Sequence, residues 1–120
     1  MAMESSPKLV YLSHPYGGDP KNLQRAKRWL RWAWLNHEDT AFIAPWIASC
    51  EVLGDQEGAY SGIGLNADEE ITGMCDAIWL CGGQISAGMR RELKAAERYE
   101  LEIVNLTDLG AEPPADGNSP

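Results

Sequence analysis

The sequence predicts a single α/β domain built on an open parallel sheet, and three observations carry that prediction. Short apolar runs of strand length alternate with longer segments in which apolar residues recur at helical spacing. The first and third apolar runs each end in a turn rich in paired glycines, "SHPYGG" and "CGGQIS". At 120 residues the chain has length for one core and not for two.

The elements follow in order. "KLVYL", Lys8 to Leu12, reads as a buried strand, and the turn formers of "SHPYGGDP" close it. Asp19 caps a helix with Pro20 at its first position. Leu23, Ala26, Leu30, Ala33 and Trp34 mark the inner side of that helix to about Asn36. "TAFIAP" is a second strand stopped by Pro45. From Trp46 to Gly64 the text is irregular and glycine-rich, which predicts a partly helical, mobile flap. "LNADEEITGMC" predicts a short helix beginning near Asn66, "DAIWLC" a third strand, Ser86 to Glu100 a helix, and "LEIVNL" a fourth strand. Residues 1–107 thus form the domain, and 108–120, which includes "GAEPPADGNSP", a polar Pro/Gly tail expected to be disordered. The alternation favours a flavodoxin-like strand order 2-1-3-4(-5), of about four or five strands with helices on both faces. In that order the loops after strands 1 and 3 diverge and open a crevice at their carboxyl ends, where ligands bind. Gly17, Gly18 and Gly83 lie in those loops, where glycine permits positive φ and close approach of a ligand to the backbone.

Composition removes several classes of function. A hydrophobic fraction of 44% is ordinary for a globular chain, and no apolar run approaches the ~20 residues of a membrane span. The N-terminus carries no basic region ahead of an apolar stretch, so a cytoplasmic location is expected. Cys50, Cys75 and Cys81 are odd in number and form no CxxC pair, which argues for reduced thiols and against a disulfide framework or a zinc site; no metal and no cofactor is expected. A formal charge of −8 repels phosphate backbones, so duplex nucleic acid is not expected as a partner. A receiver domain would need an acceptor aspartate at the end of strand 3, which here reads "CGG".

The chemistry concentrates in two carboxylates. On a wheel of ~100° per residue, Gly88, Glu92, Ala95, Ala96 and Tyr99 share one face of the last helix. Arg90, Arg91, Lys94, Glu97 and Arg98 mostly cover the other, so Glu92 belongs to the packing side. An unpaired carboxylate there is costly, so Glu92 either reaches a rim, pairs with an arginine or has a chemical role. Asp68 repeats the anomaly, sharing a face with Ile71 and Cys75; in the first turn of its helix it would also be favoured by the macrodipole. Glycosidic bond cleavage uses such a pair, one carboxylate for the positive charge growing at the anomeric carbon and one to protonate the leaving group. Ser86 is placed to cap the last helix and could equally join an anion site at its N-terminus. Tyr11 ends strand 1, where its phenol could reach a carboxylate; His14 is a turn histidine or a ligand contact; Trp46 stacks on a base or anchors the flap. On the first helix, Trp32 and Leu35 point into the charged face, which predicts a homodimer or higher homo-oligomer.

The pattern "VYLSHPYGG … ADEE … CDAIWLCGGQISAGMRRE" resembles the nucleoside 2-deoxyribosyltransferase-like superfamily over Val10 to about Ala96. The closest wording is that of its short uncharacterised branch, with a "SxPYxG" loop and an "ISxGMxxE" helix start. The superfamily's N-glycosidases keep an aspartate, a serine eighteen residues on and a glutamate six further; Asp68, Ser86 and Glu92 reproduce both gaps. The resemblance implies that Glu92 acts on C1′ of the sugar, that Asp68 protonates the departing base, that Ser86 holds a 5′-phosphate and that Tyr11 positions Glu92. Gly88, His14, Gly17, Gly18, Gly83 and Trp46 would line the substrate site, and dimers or larger assemblies are common in the superfamily. Arg90 stands where the family often has glycine, and the first loop is shorter than in the N-glycosidases. The expected ligand is a nucleoside or nucleotide, and the expected activity N-glycosidic cleavage or base exchange. The alternative is a binding or sensing module on the same fold, without turnover.

Overall fold

The computed structural model describes residues 8–53 and 63–115, with side chains described outside 63–66. A parallel sheet has the order β2-β1-β3-β4, formed by β1 (Lys8–Ser13), β2 (Thr40–Ile43), β3 (Ala77–Leu80) and β4 (Glu102–Asn105). The helices are α1 (Pro20–Asn36), α2 (Pro45–Leu53), α3 (Ile63–Gly73) and α4 (Ala87–Arg98). The expected fold class and strand order are therefore those observed, with four strands.

Pleating divides β1 and β3 between two cores. Tyr11, Ile78 and Leu80 enter a cluster with Trp46, Ile47, Cys50, Cys75, Met89 and Ala96, under α2, α3 and α4. Val10, Leu12, Ala77 and Cys81 join Phe42 beneath Trp29 and Ala33 of α1. Both faces of the central strands are buried, so they read as continuous apolar runs in the sequence. The register Tyr11↔Ile78 and Ser13↔Leu80 brings the ends of β1 and β3 level, and with them the two glycine loops. The start of the pair is tied by Asp76, whose carboxylate accepts from Leu9 N–H at 2.7 Å while its own N–H donates to Leu9 O at 2.8 Å.

The start of α1 is as expected: Asp19 caps it, accepting from Lys21 N–H at 2.9 Å, and Pro20 opens it. The partly helical character expected of Trp46–Gly64 is present as a regular helix, α2, started by Pro45 and pinned by buried Trp46, Ile47 and Cys50; residues 54–62 lie outside the described residues. Four expectations are corrected. The helix expected from Asn66 begins at Ile63, so Asp68 sits in its second turn, beyond the first-turn position the macrodipole favours. The presumed disordered tail is, over 107–115, a 3-10 turn (Thr107–Leu109) and a segment docked on α1. There Ala111 O accepts from Trp29 Nε1–H at 2.9 Å and Glu112 pairs with Arg25 and Arg28; residues 116–120 lie outside the described residues. Trp32 is not on an open charged face. Its ring meets Trp29 edge-on at 5.4 Å and His37 at 5.7 Å, in a chain of aromatic contacts that continues to Trp79 and Phe42. Trp34, expected to border the core, is 49% exposed beside Leu35 at 50%.

The fold positions the site by bringing α3 against α4. Gly73 favours this approach: a Cβ there would lie 2.7 Å from Cε2 of Tyr99, so a side chain would have to displace the Tyr99 ring. No helix among the described residues is long and apolar enough to cross a membrane.

Candidate functional site

Glu92 projects from the second turn of α4 into the space between α3, α4 and the end of β1. Its carboxylate is buried and accepts two hydrogen bonds from strand β1, Oε2 from the Tyr11 hydroxyl at 2.7 Å and Oε1 from Ser13 Oγ at 2.6 Å. Tyr11 and Ser13 are two apart on a strand and so point to the same face, with their hydroxyls one above the other beneath the carboxylate. This arrangement answers why a glutamate occupies a packing position: it has two neutral donors and, among the described residues, no cationic partner.

Asp68 faces the same region from α3 and is 5% exposed. Its neighbour one turn on, Thr72, is fully buried, donates from Oγ1 to Asp68 O at 2.7 Å and lies beside the Tyr11 phenol. Burial pushes the Asp68 carboxyl up to about 7. Burial also pushes Glu92 up to about 7, against the opposing effect of the Ser13 and Tyr11 hydrogen bonds, and the Asp68 charge adds to the rise. Tyr11 is raised well above the ordinary phenol value, first by burial and then by the Glu92 and Asp68 charges, so it stays a proton donor throughout the neutral range.

Both carboxyls are thus raised toward neutrality, where protonated and ionised forms of the pair coexist. Glu92 has two hydroxyl donors that favour its anion, whereas Asp68 has burial alone. Glu69, whose charge also raises Glu92, is held off by Arg91, with Nε 2.7 Å and Nη2 2.5 Å from its carboxylate.

The remaining expected residues are disposed around this pair in two groups. Ser86 is the N-cap of α4, its hydroxyl accepting from Met89 N–H at 3.3 Å, and Gly88 follows in the first turn. Gly17 and Gly18, with φ +60° and +79°, make the turn into α1, and Gly83, with φ +86°, makes the turn after β3. His14 and Trp46 are not open to a ligand in this arrangement. Their rings are stacked at 6.4 Å and 13°, both are about 5% exposed, and Trp46 Nε1–H is engaged by Leu12 O at 3.0 Å.

Ser13 and Thr72 are the functional residues that sequence reasoning missed. Ser13 was visible as the i+2 neighbour of Tyr11 in "YLS", and Thr72 as the i+4 neighbour of Asp68. Among the described residues no group of three or more His, Cys, Asp or Glu side chains is arranged to hold a metal. The three cysteines are buried, and burial raises Cys75 to about 11 and Cys81 to about 12, so neither of these two is a nucleophile at neutral pH.

A model of a domain of unknown function, DUF7768, matches residues 8–106. No curated protein and no solved structure matches the chain.

Proposed function

The chain belongs to the DUF7768 family, a domain of unknown function, and from the geometry of the site we propose that it cleaves or exchanges the N-glycosidic bond of a nucleoside or nucleoside 5′-monophosphate. The observation that carries this reading is the buried carboxyl pair: Glu92 hydrogen-bonded by Tyr11 and Ser13, and Asp68, which burial raises toward neutrality and so suits to donate a proton. As the bond from C1′ to the base nitrogen breaks, positive charge develops on the sugar and negative charge on the base. Glu92 meets the first, by attack or by electrostatic stabilisation, and Asp68 gives its proton to the second. With water as acceptor Glu92 or the Asp68 carboxylate then takes up a proton and the reaction is hydrolysis; with a second base it is exchange. Ser86 and the start of α4 serve the 5′ end of the sugar, consistent with the resemblance in sequence to the N-glycosidases.

The exposed Trp34 and Leu35 at the end of α1 support a homo-oligomer. The functional reading is tested by incubating the protein with a panel of nucleosides and monophosphates and assaying free base. Release by the parent and none by Glu92→Gln, with ligand binding retained, supports catalysis. Binding without release from any member of the panel supports the sensing module instead.

A further inference from the structure

We propose that residues 110–112 are a positioning strap for the crevice, clamping the Gly82–Gly83 turn onto His14 and so fixing the approach to Ser86 and α4. This inference rests on packing alone and is independent of the reaction proposed above.

The strap is fastened to α1 at three side chains. Trp29, completely buried, donates from Nε1 to Ala111 O at 2.9 Å. Arg28 sets Nε and Nη2 on the two oxygens of Glu112, each at 2.9 Å, and Arg25 Nε reaches the same carboxylate at 3.1 Å. On its other side the strap presses on the turn after β3. A Cβ on Gly83 would lie 3.0 Å from Ala111 N and 3.2 Å from its Cα, both backbone atoms that cannot rotate away. The turn in turn presses on His14: a Cβ on Gly82, whose φ is +100°, would lie 2.7 Å from Cδ2 and Nε2 of the imidazole and from Cδ of Pro15. Beyond the imidazole lies the stacked ring of Trp46. α1, strap, turn, histidine and α2 thus form one continuous stack across the crevice mouth.

His14 shows that the stack is held closed. Its Nδ1 lies 2.7 Å from Pro15 O, and because a carbonyl only accepts, Nδ1 carries the proton and Nε2 is a bare acceptor. That Nε2 is fully buried and has no hydrogen-bond partner among the described residues. A turn that lifted would admit water to it, and the strap packs against the far side of that turn. Burial lowers His14 below the ordinary imidazole range, against the hydrogen bond to the Pro15 carbonyl. Arg25 and Arg28 of α1 lower it further and Glu112 of the strap opposes them.

The test follows the His14 ring by NMR titration in the parent, Trp29→Phe, Glu112→Gln and a chain ending at Leu109. Release of the strap hydrates His14, so its pKa rises toward about 6.5 and amide exchange at Gly82, Gly83 and Gln84 accelerates at least ~10-fold. The direction separates the strap from simple electrostatics. Loss of the Glu112 charge by itself would lower the His14 pKa further, and Trp29→Phe changes no charge. A rise in both substituted proteins supports the strap. An unchanged or lowered value in either overturns it, and these two variants decide the matter if the shortened chain does not fold.

Discussion

Replacing Glu92 by Gln should stabilise the protein, and only on the alkaline side. The carboxyl is buried in the folded chain and ionises at about 7, against an ordinary value of 4.5. A folded value above the unfolded one means that the native state holds the proton more tightly. The stability this contributes is fully present below about pH 4.5 and is lost as pH rises through about 7. At about 1.4 kcal/mol per unit, the loss from Glu92 alone approaches about 3 kcal/mol above pH 8. Gln keeps the shape and can still bond both hydroxyls, but has no charge to desolvate. Asp68 carries its own burial effect in both proteins, so the difference between them reports Glu92 together with its coupling to Asp68. Urea unfolding of the two proteins should give similar stabilities near pH 5 and a gap in favour of Glu92→Gln that opens by about 2–3 kcal/mol by pH 8, equivalent to roughly 10 °C in melting temperature. Parallel pH profiles would refute the reasoning, since they would mean that the carboxylate is not desolvated. A variant less stable than the parent at pH 8 would mean that the two hydroxyl bonds outweigh burial, the reverse of what we infer.

The other predictions concern the same constellation and the helix pair that builds it. Ser13→Ala removes one of two donors to the anion, a bond to a charged group worth about 1.5–3 kcal/mol, so base release should fall roughly 10- to 100-fold. Its acidic limb should also move to higher pH; an unmoved limb would take Ser13 out of the pair's electrostatics. Asp68→Asn should lower base release by ~100- to 10,000-fold. It should also shift Glu92 ionisation to lower pH, because a neighbouring negative charge is gone, and abolish the alkaline limb of an otherwise bell-shaped profile centred near 7. A retained alkaline limb would assign the acid to another group. Gly73→Ala should cost about 1–3 kcal/mol in thermal unfolding, because its Cβ would meet the Tyr99 ring at 2.7 Å. Tyr99→Ala in the same chain should recover most of the loss, and no recovery would place the strain elsewhere.

What was legible in the sequence was the periodic part. Strands whose both faces are buried gave unbroken apolar runs, Asp19–Pro20 gave the start of α1, and Glu92 was conspicuous because Ala95 and Ala96 share its side of α4. The misreadings have separate physical causes. α2 is apolar nearly all round, so "PWIASCEVL" shows no helical stripe, and the glycines after it suggested a loop. Ser13 was read as the first turn former when it is the last strand residue, one position past an apolar run. Trp32 was placed by its Cα direction, but a long aromatic side chain folds back onto Trp29 and His37, which a wheel does not represent. The strap has a Pro/Gly-rich composition typical of disorder, yet the buried indole of Trp29 requires an acceptor, and Ala111 supplies it. Contacts between residues more than eighty positions apart leave no local trace in the chain.

The most direct test of the central claim, that the Glu92 and Asp68 pair breaks an N-glycosidic bond, is the amount of free base released from nucleosides and nucleoside 5′-monophosphates at neutral pH by the parent and by Glu92→Gln, measured chromatographically on the same panel. The account predicts release from at least one member by the parent, and a loss of orders of magnitude in the variant, which still folds and still binds that ligand. Release that survives in Glu92→Gln, or a parent that liberates no base from any member, would contradict it.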